Sequence, residues 1–411
     1  MTASVTKLRN FFYLPHNAWT LTSTSALWSI GSAMATPYQT LYFASLGASA
    51  LNIGLFVAYG TAVTILALLV GGYVADTWGR RRVIIIFSWV SVASAGLYSI
   101  INSPYLIALP LTFGSIASVY TPAFNSLMFD EIEPSDRIRG FSVFNAINTL
   151  PSVFAPTFGG LLMSFYGITN GIRFAYLASM IFGIIAISLR TKYLGETYVV
   201  KQVQERRSFF SYIKDSFVSG IKATRASGPV VKKLLVYVTL AGIGTGLTSP
   251  YASLYVVDYL KFNPIDYSIV VDLAGLTTVI LLFGVVFLIR RMGSKKSILL
   301  ASTAAPVSNV MFSQAKTMDE LLEWGVTGAV GTALQTPSLS TMQAEAIEKE
   351  NRGKILAMFS ILPSLVSLPS QIAAGEMYSS IAPVTPFLVA IVPFSLGAFM
   401  LFSIGETKAV D

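Results

Sequence analysis

Few side chains in this sequence could do chemistry, which narrows what the protein can be. The 411-residue chain has no cysteine and a single histidine, His16. Disulfides, thiolate chemistry, multi-histidine metal centres and histidine-based triads are therefore excluded. No nucleophile–base pair, phosphate loop or metal cluster stands out, so neither an enzyme nor a cofactor is expected. What remains is a carboxylate in an apolar setting. Asp272 lies inside a hydrophobic stretch beside Val270, Val271 and Leu273. An ionisable group so placed is costly to keep, and proton exchange is the chemistry it would perform. The alternatives are a salt bridge or an outer-vestibule carboxylate. Asp258 and Asp266 read as loop residues, and Glu320, Glu323 and Glu376 rank below Asp272.

A second group of side chains could hydrogen-bond a ligand. Tyr38 and Tyr42 are four residues apart on one helical face, as are Tyr251 and Tyr255. Asn125, Asn145, Asn148 and Gln335 add amides within apolar stretches. Tyrosines also belong to the aromatic belt at a membrane interface, so that reading stands beside the first.

The elements that must position these groups are transmembrane helices. The composition is 54% hydrophobic and 12% charged, against about 25% charged in soluble domains. Too few charges remain to cover a water-facing surface, and a bilayer removes the need for them. The net charge of +8 is spread over short loops, so no nucleic-acid partner is expected. Apolar runs long enough to cross a bilayer fall at 18–44, 53–75, 83–101, 105–129, 141–165, 171–190, 233–257, 267–289, 297–313, 321–344, 355–378 and 384–404. Continuous apolar runs favour helix over alternating barrel strands. Residues 1–17 lack the short apolar core of a signal peptide, so the first run is expected to stay as a span. With the N-terminus inside, every lysine and arginine except Arg173, Lys261 and Lys316 falls in a cytoplasmic segment. That asymmetry predicts an inner-membrane protein with both termini cytoplasmic.

The expected fold is an all-α membrane protein of twelve transmembrane helices in two pseudo-symmetric six-helix bundles. The bundles are 1–190 and 231–411, joined by a polar linker at 191–230. Within the linker, Phe209, Phe210, Tyr212, Ile213, Phe217 and Ile221 interleave with Lys214, Lys222 and Arg225, the pattern of an amphipathic helix on a membrane surface. The two halves repeat at an offset of about 213. Thr36-Pro37-Tyr38 returns as Ser249-Pro250-Tyr251, and Leu41-Tyr42 as Leu254-Tyr255. Gly31 matches Gly244, Thr121-Pro122 matches Thr336-Pro337, and Arg139-Gly140 matches Arg352-Gly353. Pro156 matches Pro369, and Gly195-Glu196-Thr197 matches Gly405-Glu406-Thr407. Parallel repeats of this kind place a binding site between the halves near the midplane.

Between the second and third spans runs Gly71-Gly72-Tyr73-Val74-Ala75-Asp76-Thr77-Trp78-Gly79-Arg80-Arg81-Arg82. A positive-inside loop accounts for the arginines but not for the Gly–Asp–Gly spacing. The segment resembles the signature loop G-x-x-x-D-x-x-G-R-[RK] of the major facilitator superfamily, and the resemblance covers essentially the whole chain. It implies that Gly72, Asp76, Gly79, Arg80 and Arg81 form a conformational latch at the inner face. Asp130 would supply the acidic end of helix four, and Arg139 the Arg-Gly opening of helix five. The second copy keeps Gly293, Lys295 and Lys296 but has Arg290 at the position of Asp76, so the latch is expected to be asymmetric. The resemblance also places Tyr38, Tyr42, Tyr251 and Tyr255 on cavity-lining helices one and seven, with Asn125, Asn145, Asn148 and Gln335 adding polar groups. Ala155-Pro156-Thr157-Phe158-Gly159-Gly160 is similar to the G-P-x-x-G-G element of drug/proton antiporters, with alanine for the first glycine. No acidic residue occurs in span one, where several exporters of that family carry one.

These features predict a monomeric secondary transporter for a small-molecule substrate, coupled to protons through Asp272 and exporting small amphipathic molecules. Proton-driven uptake of a neutral metabolite such as a sugar is the second reading. A non-transporting membrane sensor is the third.

Overall fold

The computed structural model describes residues 13–133, 136–196, 209–348 and 350–403, with the side chains of 138, 209–217, 283, 286 and 290 left aside. The expectations for Lys7, Arg9, Lys349, Lys408, the Gly405-Glu406-Thr407 copy and most linker side chains lie outside these residues. Everything described is helix, turn or loop, with no strand. Eight of the expected spans coincide with helices long and apolar enough to cross a membrane. The other four fall on helices that are interrupted or rich in hydroxyls. Helix α1 (His16–Ala35) shows why it is not among the eight. It carries Thr20, Thr22 and Thr24, whose hydroxyls bond back to the carbonyls of His16, Ala18 and Thr20 at 2.9, 2.7 and 2.6 Å. A hydroxyl satisfied by its own helix can be buried without an outside partner.

Helix contacts divide the chain into two compact units, Met1–Gly47 with Val63–Glu205 and Ala48–Ala62 with Arg206–Asp411. This differs from the division read from sequence in assigning residues 48–62 to the second unit. The first unit holds α1, α2 (Gln39–Ser45), most of α3 (Ala50–Trp78) and α4 (Arg80–Ile100). It continues with α5 (Ala108–Ala117), α6 (Tyr120–Glu131), α7 (Arg137–Ser152), α8 (Ala155–Tyr166) and α9 (Ile168–Tyr193). Its core joins Leu21, Ile84, Leu127, Met128 and Val143. The second unit holds α10 (Phe209–Ala226), α11 (Pro229–Thr248), α12 (Pro264–Met292), α13 (Ser294–Gln314), α14 (Met318–Ala346), α15 (Arg352–Ser380) and α16 (Thr385–Phe402). Leu234, Ile298, Met342, Ile355 and Leu401 form its core. The linker helix α10 packs on α15, where Gly220 faces Met358.

Repeated sequence produces repeated local structure. Helix α1 gives way to a 3-10 turn at Thr36–Tyr38, and α11 to one at Ser249–Tyr251. Pro37 and Pro250 lack the N–H that would continue the helix. A Cβ on Gly31 would lie 2.9 Å from the Cα of Ser179 on α9, and one on Gly244 would lie 2.5 Å from the Phe394 ring on α16. Each glycine therefore lets the first helix of its unit approach the last. Gly79 (φ 86°) and Gly293 (φ 84°) make the turns before α4 and α13. At their ψ values of 142° and 156°, a side chain would be strained. The units differ elsewhere. The chain breaks at Ser118–Val119 between α5 and α6 and at Val153–Phe154 between α7 and α8. In contrast α14 and α15 run unbroken through Pro337, Pro363 and Pro369.

The outside is apolar. Leu388, Val392, Leu396 and Phe399 form an exposed stripe on α16, and Phe174, Ile181 and Ile185 do the same on α9. Patches of this extent mark contact with lipid or a partner rather than water.

Candidate functional site

Two adjoining cavities of about 460 and 350 Å³ lie within the first unit and share Trp28, Ser91, Tyr120 and Thr121. Helices α1, α4, α6 and α9 supply most of both walls, and the small residues Gly31, Ser179 and Gly183 bring these helices close. In the larger cavity, Tyr98 and Tyr176 stack with centroids 4.5 Å apart and planes 19° from parallel. Gln39 Nε2 donates to the Tyr98 hydroxyl at 3.1 Å. The wall is thus a rigid aromatic face edged by Ser32, Thr36, Ser94 and Ser115. A mixed lining of this kind suits a small molecule with both apolar and hydrogen-bonding parts.

The smaller cavity contains Arg190, whose residue is 4% exposed. Its guanidinium donates from Nε to Thr24 at 3.1 Å, from Nη1 to Ser88 at 2.9 Å and from Nη2 to Ser25 at 3.1 Å. It also lies over the Phe124 ring at 5.8 Å. All three acceptors are neutral hydroxyls. Position in the last turn of α9, where helix carbonyls point outward, offsets part of the charge. Positive-inside counting groups Arg190 with the linker cations. The signal that separates it is helical period: Ser179, Gly183, Ala186, Ile187 and Arg190 share the buried face of α9.

The structure places the residues singled out from sequence in several distinct settings. Asn125 and Asn148 line the smaller cavity, whereas Asn145 is exposed and not in its lining. Gln335 lines a separate cavity of about 190 Å³ in the second unit, with Asn309 and Thr245. The four tyrosines are not in the linings of these three cavities; they are buried in the packing within their units. Tyr38 donates to the Pro156 carbonyl at 3.1 Å, and Tyr42 to those of Tyr98 and Ile101 at 2.8 and 3.1 Å. Tyr251 donates to the carbonyls of Gln371 at 3.0 Å and Ala50 at 3.2 Å. Tyr255 packs its ring on Phe312 and Phe387. A buried phenol needs an acceptor, and main-chain carbonyls beside broken helices provide one. Tyr42 stands one layer behind the cavity, holding the backbone that carries Tyr98.

Asp272 is 7% exposed on α12, where Gly325 of α14 packs against Val270 and Ala274 on either side of it. Asp272 lines none of these three cavities.

Basic loop residues gather at one end of the first unit. Arg80 forms a salt bridge with Asp130. Arg81 donates from Nε to the Leu194 carbonyl at 2.5 Å and from Nη2 to that of Thr191 at 2.9 Å, and its N–H meets Glu196 at 3.1 Å. Arg139 pairs with Asp136 and reaches the Tyr13 carbonyl at 2.8 Å. Asp136, outside the helices, is held below the usual carboxylate range chiefly by its hydrogen bonds from Arg139. Asn17 joins the same end, donating to Glu131 and accepting from the Gly195 N–H, each at 2.7 Å. Asp76 is exposed and stands apart from this network, and nothing lies within 4 Å of where a Cβ on Gly72 would be.

Comparison with known proteins places this architecture among transporters. The family model described as Major Facilitator Superfamily matches residues 21–318. An uncharacterised MFS-type transporter of Bacillus subtilis is 23% identical over 330 residues, covering 77% of this chain and 75% of its own. A Na(+), Li(+), K(+)/H(+) antiporter of Planococcus maritimus is 25% identical over 254 residues, 59% of this chain and 57% of that protein. Among solved structures, the nucleoside transporter NupG superposes with a TM-score of 0.75 at 15% identity, covering 94% of this chain and 99% of that one. That likeness concerns the fold alone.

Proposed function

The chain belongs to the major facilitator superfamily and is a membrane transporter, and we propose that it exports small amphipathic molecules in exchange for protons. Two six-helix halves, twelve spans in all, would alternate access to a central site. The protein would work as a monomer in the inner membrane with both termini cytoplasmic. The observation that carries the proton-coupled reading is Asp272, a buried carboxylate flanked by Val270, Val271 and Leu273 on a helix apolar enough to cross a membrane. The Planococcus maritimus relative, a cation/proton antiporter by name, supports exchange as the mode. The aromatic and hydroxyl lining of the first-unit cavities supports a substrate with apolar and polar parts. In this reading Gly72, Asp76, Gly79, Arg80, Arg81, Asp130 and Arg139 act as the latch, which the Arg80–Asp130 pair supports.

The test is reconstitution into vesicles holding a pH-sensitive dye, with an imposed pH gradient and a panel of candidate amines, aryl acids and alkali cations. At least one should drive proton movement through the wild-type protein. Asp272→Asn should abolish gradient-driven accumulation and spare counterflow, which needs no net proton transfer. Full accumulation by Asp272→Asn would remove Asp272 from the mechanism. The amides Asn125 and Asn148 on the cavity wall favour one other reading, proton-driven uptake of a hydroxyl-rich neutral molecule. Sugars added to the same panel separate the two.

A further inference from the structure

We propose that Arg190 is an anion-binding residue and that the transported molecule carries a carboxylate, phosphate or sulfonate, which docks in the smaller cavity of the first unit. Charge is the first reason. A guanidinium stays protonated at any physiological pH, and taking it out of water is expensive unless an anion accompanies it. Arg190 is 4% exposed, and every hydrogen-bond acceptor it meets is a neutral hydroxyl. Among the described residues, no acidic side chain lines either cavity. Four carboxylates of the first unit are engaged elsewhere, Asp130 with Arg80, Glu131 with Asn17, Asp136 with Arg139 and Glu196 with the Arg81 N–H, and Asp76 and Glu133 are exposed.

Hydrogen-bond capacity points the same way. A guanidinium carries five N–H donors. Thr24, Ser88 and Ser25 take one from each nitrogen, which leaves one donor on each terminal nitrogen. Two donors on one planar fork match the paired oxygens of a carboxylate or phosphate. The three hydroxyls fix the fork in place before any ligand arrives, so little side-chain entropy remains to be lost. Asn148 and Ser29 offer further polar contacts, and Trp28, Tyr120 and Phe144 provide an aromatic wall for the rest of the molecule. In the second unit the cavity around Gln335 has no charged side chain in its lining among the described residues, and the nearest repeat match, Gly195 with Gly405, places Met400 opposite Arg190. The anion site is therefore a property of one half.

Anion binding at Arg190 stands independently of the transport reading; only the passage of the bound anion across the membrane rests on it. The experiment is isothermal titration of the purified full-length protein with four probes sharing one ring system: 2-naphthoate, 2-naphthyl phosphate, 2-naphthylmethanol and 2-naphthylmethylamine. Both anions should bind the wild-type protein at least about tenfold more tightly than the alcohol, as a charge-assisted bond implies, and the amine most weakly. Arg190→Gln should erase the preference, while Arg190→Lys should keep part of it. The wild-type series needs no variant to fold. Equal affinity for anion and alcohol, preference for the amine, or an undiminished anion preference in Arg190→Gln would each overturn the proposal. The two readings fail separately. Arg190-dependent naphthoate binding with no naphthoate–proton exchange in vesicles would keep the anion site and refute proton-coupled export. Proton-coupled amine transport without anion preference would do the reverse.

Discussion

Arg80 at the start of α4 and Asp130 at the end of α6 form a salt bridge that ties two helices of the first unit together at the end carrying its basic loops. The arginine side chain is 13% exposed and the carboxylate 44%, so the pair is partly screened by solvent. A double-mutant cycle with Arg80→Gln and Asp130→Asn should give a coupling of about 0.5–1 kcal/mol in melting experiments. Additive effects would show that the contact carries no stability. Asp76→Asn should leave melting unchanged because Asp76 is exposed and outside the network. Any effect on transport would then come from another state of the cycle.

The glycine turns give a sharper contrast. Gly79→Ala and Gly293→Ala force a side chain into a backbone region nearly reserved for glycine, at a cost of about 1–3 kcal/mol each. Gly72, in the same signature segment, lies in the helix α3 with open space around its missing Cβ. Gly72→Ala should be neutral or slightly stabilising. Equal losses at all three positions would mean that sequence membership in the loop, not backbone angle, sets the requirement.

Tyr42 tests how the cavity wall is supported. Tyr42→Phe removes the hydroxyl that bonds the carbonyls of Tyr98 and Ile101 at the end of α4; Arg173 still donates to Ile101 at 2.7 Å, so the cost of about 1–3 kcal/mol comes from the Tyr98 carbonyl. Hydrogen exchange at residues 98–101 should rise. Unchanged protection there would show that Tyr98 is held without Tyr42, by stacking on Tyr176 and the hydrogen bond from Gln39.

These residues mark how far the fold and the site are legible in the sequence. The helices and the repeat follow from local chemistry, apolar runs and proline breaks; the signature spacing marks Gly79 and Gly293, but the backbone angle that requires them is seen only in the fold. The four tyrosines show where local chemistry stops. Spacing of four residues puts two side chains on one face, but it does not say whether that face meets a cavity or another helix. Arg190 is obscured by its neighbourhood, since Lys192 lies two residues on and a polar linker begins just beyond. Only the packing of α9 against α1 and α4 shows the guanidinium turned inward. The breaks between α5 and α6 and between α7 and α8 fall within apolar runs that read as single spans.

The Asp136–Arg139 pair predicts a pH dependence. The carboxyl group of Asp136 titrates lower in the folded protein than in the unfolded chain, chiefly through its hydrogen bonds from Arg139. Its contribution to stability is therefore complete above the ordinary aspartate range and is lost as pH falls through the lowered folded value. Asp136→Asn should melt earlier than wild type near neutrality, and the two melting curves should converge in acid. A gap that persists unchanged to low pH would mean that the loop is stabilised by something other than this charge.

The paired turns at Gly79 and Gly293 also carry historical information. If both halves descend from one duplicated ancestor, each position has had two independent lineages in which to drift. Over that time the carboxylate three residues before the first glycine came to be matched by Arg290 in the other copy, a reversal of sign. The φ angles of the two glycines still agree to within a few degrees, at 86° and 84°. Charge was exchangeable in this lineage and chain direction was not, so an inventory of backbone turns would trace its ancestry further back than an inventory of ionic contacts.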